Sequence, residues 1–255
     1  MRFVDLSMPL DDVIPVDPPF LRPTIDYKDH IAGRRDMEAM YGIRPDQLPD
    51  GQGLAAETLT LTTHSGTHVD APWHYHPTMN RGERAWTIDE VPLDWFFRPG
   101  VKLDLRHLPQ GHLVTAADID AELDRIGYAL RPFDIVLAHT IASAAYGQED
   151  YYDTGIGFGR EATLHLTDRG VRVVGTDAWG WDAPVSVTRR EFARTGDPSI
   201  VWEGHKAGAE VAYCQIEKLQ NLESLPAFGF TVACFPAKVR AASAGWTRAV
   251  AIFDE

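Results

Sequence analysis

The run T-H-S-G-T-H-V-D-A-P-W-H, Thr63 to His74, constrains this chain more than any other feature. It places His64, His68, Asp70 and His74 within eleven residues. Neutral imidazole and carboxylate are the usual ligands of Zn²⁺ and Mn²⁺. The spacing of His64 and His68 would suit a helix, as in metalloproteases, but Gly66 and Pro72 argue against one and no Glu follows His64. Small Ser65, Gly66 and Thr67 allow a tight turn that points both imidazoles at one centre. In an extended segment His68 and Asp70, two residues apart, share a face. Pro72 then redirects the chain towards His74. A polar loop with scattered histidines accounts poorly for such density. Just upstream, Leu59 and Leu61 alternate with Thr58, Thr60 and Thr62, which predicts a strand.

The remaining pattern predicts a mixed α/β fold with more sheet than helix. Short apolar segments read as strands at GVKLDLRHL, DIVLAHT, VRVVGTDA, AEVAYCQIEKL, FTVACFPAKV and TRAVAIFD. TAADIDAELDRIG reads as a helix with Thr115 as N-cap and Gly127 as C-cap, and GREATLHLTDRG as a second. The regular strand–helix alternation of a doubly wound fold is absent. Residues 11–53 read as a proline-rich extended arm holding a short helix in HIAGRRDMEAMYG. Proline and glycine are spread throughout, so 1–255 is expected to form a single domain.

With 24 Lys and Arg against 37 Asp and Glu, the net charge is −13, which disfavours binding to nucleic acid. No stretch approaches the ~20 apolar residues of a membrane span. The first residues do not form a secretory signal, and two cysteines, Cys214 and Cys234, exclude a disulfide framework. A cytoplasmic protein is expected. His76, His30, His107, His112, His139 and His165 read as surface or satisfied core residues. TGIGFGR lacks GxGxxG spacing and reads as a plain loop, and no G-x-S-x-G element is present. Trp179 and Trp181 in GTDAWGWDAP read as packing residues or as the lining of a pocket.

H-S-G-T-H-V-D-A-P-W-H resembles HxGTHxDxPxH, the signature of the cyclase-like metal-dependent hydrolases. That family includes bacterial kynurenine formamidase and isatin hydrolase. VDLSMPLDD, VPLDWFFRPGVKLDL, VVGTDAWGWDAP, IEKLQNLESLP and FPAKVRAASAGWTRAVAI are similar to family landmarks in family order. The resemblance implies a swivelling β/β/α-type fold with a central metal cleft, in a homo-oligomer (dimer or tetramer). It implies that His64, His68 and Asp70 hold a metal and that His74 donates and accepts protons. His205 and Glu217, twelve residues apart, match the pair that completes a second metal in kynurenine formamidases. Gln215 matches the glutamine that ligates a single Mn²⁺ in isatin hydrolase. The formamidase-like PVWPGDP is replaced here by IPVDPPF, without the Trp, and residues 20–55 form a longer stretch. Both departures place the chain nearer the isatin hydrolase branch.

The expected activity is therefore opening of a small cyclic, isatin-like amide by metal-activated water, with Mn²⁺ or Zn²⁺ as cofactor and His74 as proton shuttle. The expected substrate is small and planar. The alternatives are an arylformamidase, a lactone hydrolase, or a catalytically idle metal- or ligand-binding protein. A purely structural site has no use for a base such as His74.

Overall fold

The computed structural model describes residues 1–254. Nine strands form one mixed sheet. They are β1 (Arg2–Asp5), β2 (His68–Asp70), β3 (Phe97–Asp104), β4 (Ile135–His139), β5 (Val173–Thr176), β6 (Cys214–Glu217), β7 (Phe228–Ala233), β8 (Ala244–Trp246) and β9 (Val250–Phe253). Their order across the sheet is β1–β9–β7–β3–β4–β5–β6–β2–β8. The central four, β3 to β6, run parallel, and every other pairing is antiparallel.

A sheet covered on both faces needs apolar residues at successive positions rather than at alternate ones. β4 meets this requirement, since all five of its residues are buried. Ile135 and Leu137 join Val69, Ile216 and Val232 in one core. Val136 and Ala138 join Val101, Leu103 and Val174 in the other. The helices are α1 (Arg34–Tyr41), α2 (Pro72–Tyr75), α3 (Ala116–Ile126), α4 (Arg160–Thr167), α5 (Val185–Thr195) and α6 (Glu203–Lys206). Of these, α3 and α4 supply the second core with Ile119, Leu123, Ala162 and Leu166. The caps of α3 are the predicted ones. The Thr115 hydroxyl accepts from the Asp118 amide, and Gly127 ends the helix at φ 67°.

The mixed α/β class is as the sequence predicts. Strand–helix alternation exists after all, from β3 through α3, β4, α4, β5, α5 and α6 to β6. The predicted strand before the motif is real over Ala56–Thr60, yet it lies outside the main sheet. It pairs with Thr24–Lys28 in a separate two-stranded ribbon, and neither strand is buried. The short helix expected in the arm is α1, with no buried residue. Phe20, Tyr27, Met40 and Tyr41 of this arm are exposed. Among the described residues, no helix is long and apolar enough to cross a membrane.

Candidate metal centre

The ligand motif folds as a turn, a three-residue strand and a single helical turn. Gly66 takes φ 63°, where a side chain is strained, and an added Cβ would stand 2.6 Å from Leu10 Cδ2. Beyond it β2 carries His68 and Asp70 on one face and Val69 on the other. Pro72 occupies the first turn of α2, where its missing N–H costs nothing, and α2 delivers His74. In the register of the sheet Asp70 lies opposite Gln215, and His68 opposite Glu217. Side chains directly opposite in an antiparallel pair share a face. Four donors from two distant segments therefore project on one side.

The tight set is defined by distance. His64 Nδ1 lies 2.9 Å from Asp70 Oδ1, and His68 Nε2 lies 3.2 Å from the same oxygen. Glu217 Oε2 is 3.5 Å from His68 Nε2. Two ligands each ~2.1 Å from a shared ion stand about 3 Å apart. His74 Nε2 and His205 Nε2 both lie 3.9 Å from Asp70 Oδ2, and His205 Nε2 is 3.8 Å from Glu217 Oε1. His64, Asp70 and His74 offer ligand atoms within 4.8 Å of one another, as do His68, Asp70 and Glu217.

Three of the imidazoles are held by their other nitrogen. His68 Nδ1 bonds the Gly66 carbonyl at 2.9 Å, leaving the Nε2 lone pair free. His64 Nε2 meets Ser243 Oγ at 3.0 Å, leaving Nδ1 for Asp70. His205 Nδ1 meets the Asp182 carboxylate in a short bond. Asp182 also accepts from the backbone amides of Gly204 and His205. Only glycine fits at 204, since a Cβ there would stand 2.3 Å from the Phe158 carbonyl oxygen.

The electrostatics follow from this crowding. Burial opposes a negative Asp70, but His74, His68 and His64 hold its carboxyl well below the usual range. Burial and Asp70 push Glu217 up. Burial opposes charge on His205, yet Asp182 overrides it and lifts the imidazole to about 9. Burial, reinforced by repulsion from His205, His64 and His68, outweighs Asp70 and pushes His74 down to about 4. His74 is therefore neutral at pH 7.

The donor set fits a divalent cation. His68 Nε2, both Asp70 oxygens and Gln215 Oε1 are buried without a hydrogen bond among the described residues. Buried polar atoms are rarely left so. The Gln215 orientation is forced. Tyr213 spends its hydroxyl proton on the Gly204 carbonyl, so Gln215 Nε2 donates to the phenol oxygen and Oε1 stays free. A cation would satisfy these lone pairs together.

All seven residues singled out in the sequence meet at this centre. Sequence reasoning missed Asp182, Trp202 and the pair formed by Asp17 and Lys218. Trp202 stacks on His205, with ring centroids 4.9 Å apart. The Lys218 ammonium bonds Asp17 Oδ1 at 2.5 Å and the His64 carbonyl at 2.8 Å. Asp182 stood in view within WGWDAP, but nothing local ties it to His205. Of the two tryptophans there, Trp181 is fully buried against Phe158, while Trp179 lines a cavity of about 510 Å³. His64, His74, His205 and Glu217 open into that cavity, beside Leu21, Ile156 and Trp202.

A family model described as putative cyclase matches residues 4–183. The chain belongs to the cyclase family. A kynurenine formamidase from Salinibacter ruber is 27% identical over 146 residues, which are 56% of this chain and 60% of that protein. The chain thus matches less than two thirds of that relative's length. Isatin hydrolase A from Ralstonia solanacearum superposes with a TM-score of 0.77 at 21% identity, covering 99% of this chain and 92% of the other. An isatin hydrolase bound to the product analogue thioisatinate superposes with a TM-score of 0.76 at 20% identity, covering 100% and 93%. This cyclase-family chain has the isatin hydrolase fold.

Proposed function

We propose that this cyclase-family chain is a metal-dependent hydrolase that opens a small cyclic amide of the isatin type. The observation that carries the reading is the buried, unpartnered donor set of His68, Asp70 and Gln215 beside His64, His74, His205 and Glu217, which line an aromatic-walled cavity. His64, His68 and Asp70 would hold the ion, with Gln215, Glu217 and His205 completing one or two sites. Mn²⁺ and Zn²⁺ both suit this mixture of nitrogen and oxygen donors. When bound, the metal supplies a polarised substrate carbonyl and a more acidic water. The protein's residues do the rest. Neutral His74 takes a proton at Nε2 and returns it to the leaving nitrogen. Trp179 and Trp202 flank the planar substrate and exclude water.

Arylformamide hydrolysis is the second reading, favoured by the likeness to a kynurenine formamidase. A homo-oligomer that covers Phe20, Tyr27, Met40 and Tyr41 belongs to the same proposal. Light scattering at the mass of one chain would remove that part. The test of function is metal analysis of the purified protein, then hydrolysis of isatin, N-formylkynurenine and a dienelactone. Bound divalent metal with isatin opening is expected, and His68→Ala should lose both. A metal-loaded protein inert on all three would overturn the reading.

A further inference from the structure

The cavity wall carries one uncompensated charge. Its carboxylates are neutralised in place: Asp17 by Lys218, Asp182 by His205, and Glu217 beside the imidazoles of the centre. Arg189 also lines the cavity, and among the described residues it has neither a hydrogen bond nor an ion pair. It stands on α5, a helix with no buried residue. Val185, Thr188, Arg189 and Phe192 of α5 all line the cavity. They recur at helical spacing, so one face of α5 is turned to this space. Its neighbours on the helix are used differently. Arg194 pairs with Glu191 at 2.8 Å, and Arg190 approaches Glu191 at 3.9 Å.

Arg189 is solvent-exposed at the edge of the cavity, and its planar fork matches a carboxylate. The chain as a whole is strongly acidic, at −13, and repels anions. We infer that Arg189 anchors a carboxylate borne by the substrate, so that the preferred substrates are anionic aryl amides rather than the unsubstituted bicycle. The inference rests on the hydrolase reading for its chemistry, but Arg189 recognises the anion whether or not the amide is cleaved.

The test compares isatin-5-carboxylate with its methyl ester, which has nearly the same shape and no charge. The wild-type protein should favour the carboxylate. In Arg189→Gln the KM for the carboxylate should rise roughly 2- to 5-fold, as expected for loss of a solvent-exposed charge pair. Its kcat, its metal content and its handling of the ester should stay unchanged. Arg189→Lys should recover part of the loss. An equal KM in wild type and Arg189→Gln would overturn the inference. If neither compound is opened, the hydrolase reading fails, and calorimetric titration with isophthalate decides this one separately. Binding that weakens in Arg189→Gln supports it. Absent binding, or equal binding in both proteins, overturns it.

Discussion

His74 differs from the other imidazoles of the centre in what surrounds it. His64, His68 and His205 each have one nitrogen committed to a protein oxygen. His74 has rings on several sides instead. His64 lies 4.2 Å away, and Trp202 and His205 each 5.4 Å away, between centroids. A residue held by tilted and edge-on ring contacts can move a proton without disturbing the ligand set. His74→Ala should therefore retain its metal and lose about 10²- to 10⁴-fold in kcat. Measuring metal content and turnover on the same preparation checks this. Parallel loss of metal would place His74 among the ligands, a role its 3.9 Å approach to Asp70 leaves geometrically open. The choice between Gln215 and Glu217 belongs to the same scale. Both reach the centre from β6, so two metal peaks in a refined structure would favour Glu217 with His205, and a single peak would favour Gln215.

The elements that hold the ligands are short, and their turns carry much of the precision. Gly66 supports both histidines, since its carbonyl holds His68 and its positive φ turns the chain after His64. Gly66→Ala should cost about 1–3 kcal/mol in denaturant unfolding, from backbone strain and the contact with Leu10. It should also weaken metal binding by more than stability alone explains, because His68 would lose its orientation. Unchanged metal affinity would assign Gly66 to folding only. At this scale the sequence was legible where local chemistry decides. Thr115, Asp118 and Gly127 announce α3, and the spacing of His68 and Asp70 announces β2. It was not legible at α5. VSVTRREFART is rich in β-branched residues, and its apolar face lines a cavity rather than the core, so neither propensity nor burial marked it as a helix. Ala56–Thr60 failed in the opposite way, because period-2 alternation marks a strand without saying that either face is buried.

Across the whole molecule, pH dependence centres on a second buried polar group. Asp177, at the end of β5, accepts from the amide and hydroxyl of Thr140 after β4. Burial pushes its carboxyl up to about 7, against those hydrogen bonds. His139 Nε2 lies 3.9 Å away, and burial together with Arg106 pushes that imidazole down to about 4. The two act in opposite directions. Asp177 contributes stability that is present at low pH, below its unfolded value near 3.8, and lost as pH rises through about 7. His139 contributes stability present above 6.5 and lost as pH falls towards about 4. Asp177→Asn should remove only the first. Unfolding of wild type and variant in a chelator, at pH 5 and pH 8, should show the variant gaining on the wild type at the higher pH. The gain should be on the order of 2–4 kcal/mol. Equal differences at both pH values would show that Asp177 does not titrate in this range.

The pairing of β2 with β6 has a consequence in time. The Thr67 hydroxyl bonds the Lys218 carbonyl across 151 residues of chain, and His68 faces Glu217 through the same ladder. A ribosome making this protein releases His64, His68, Asp70 and His74 early, and their counterparts only near the end. For most of synthesis the first four donors belong to an open chain with no fixed geometry. The donor set is thus complete only once β6 has been made and has paired with β2, which lies between β6 and β8.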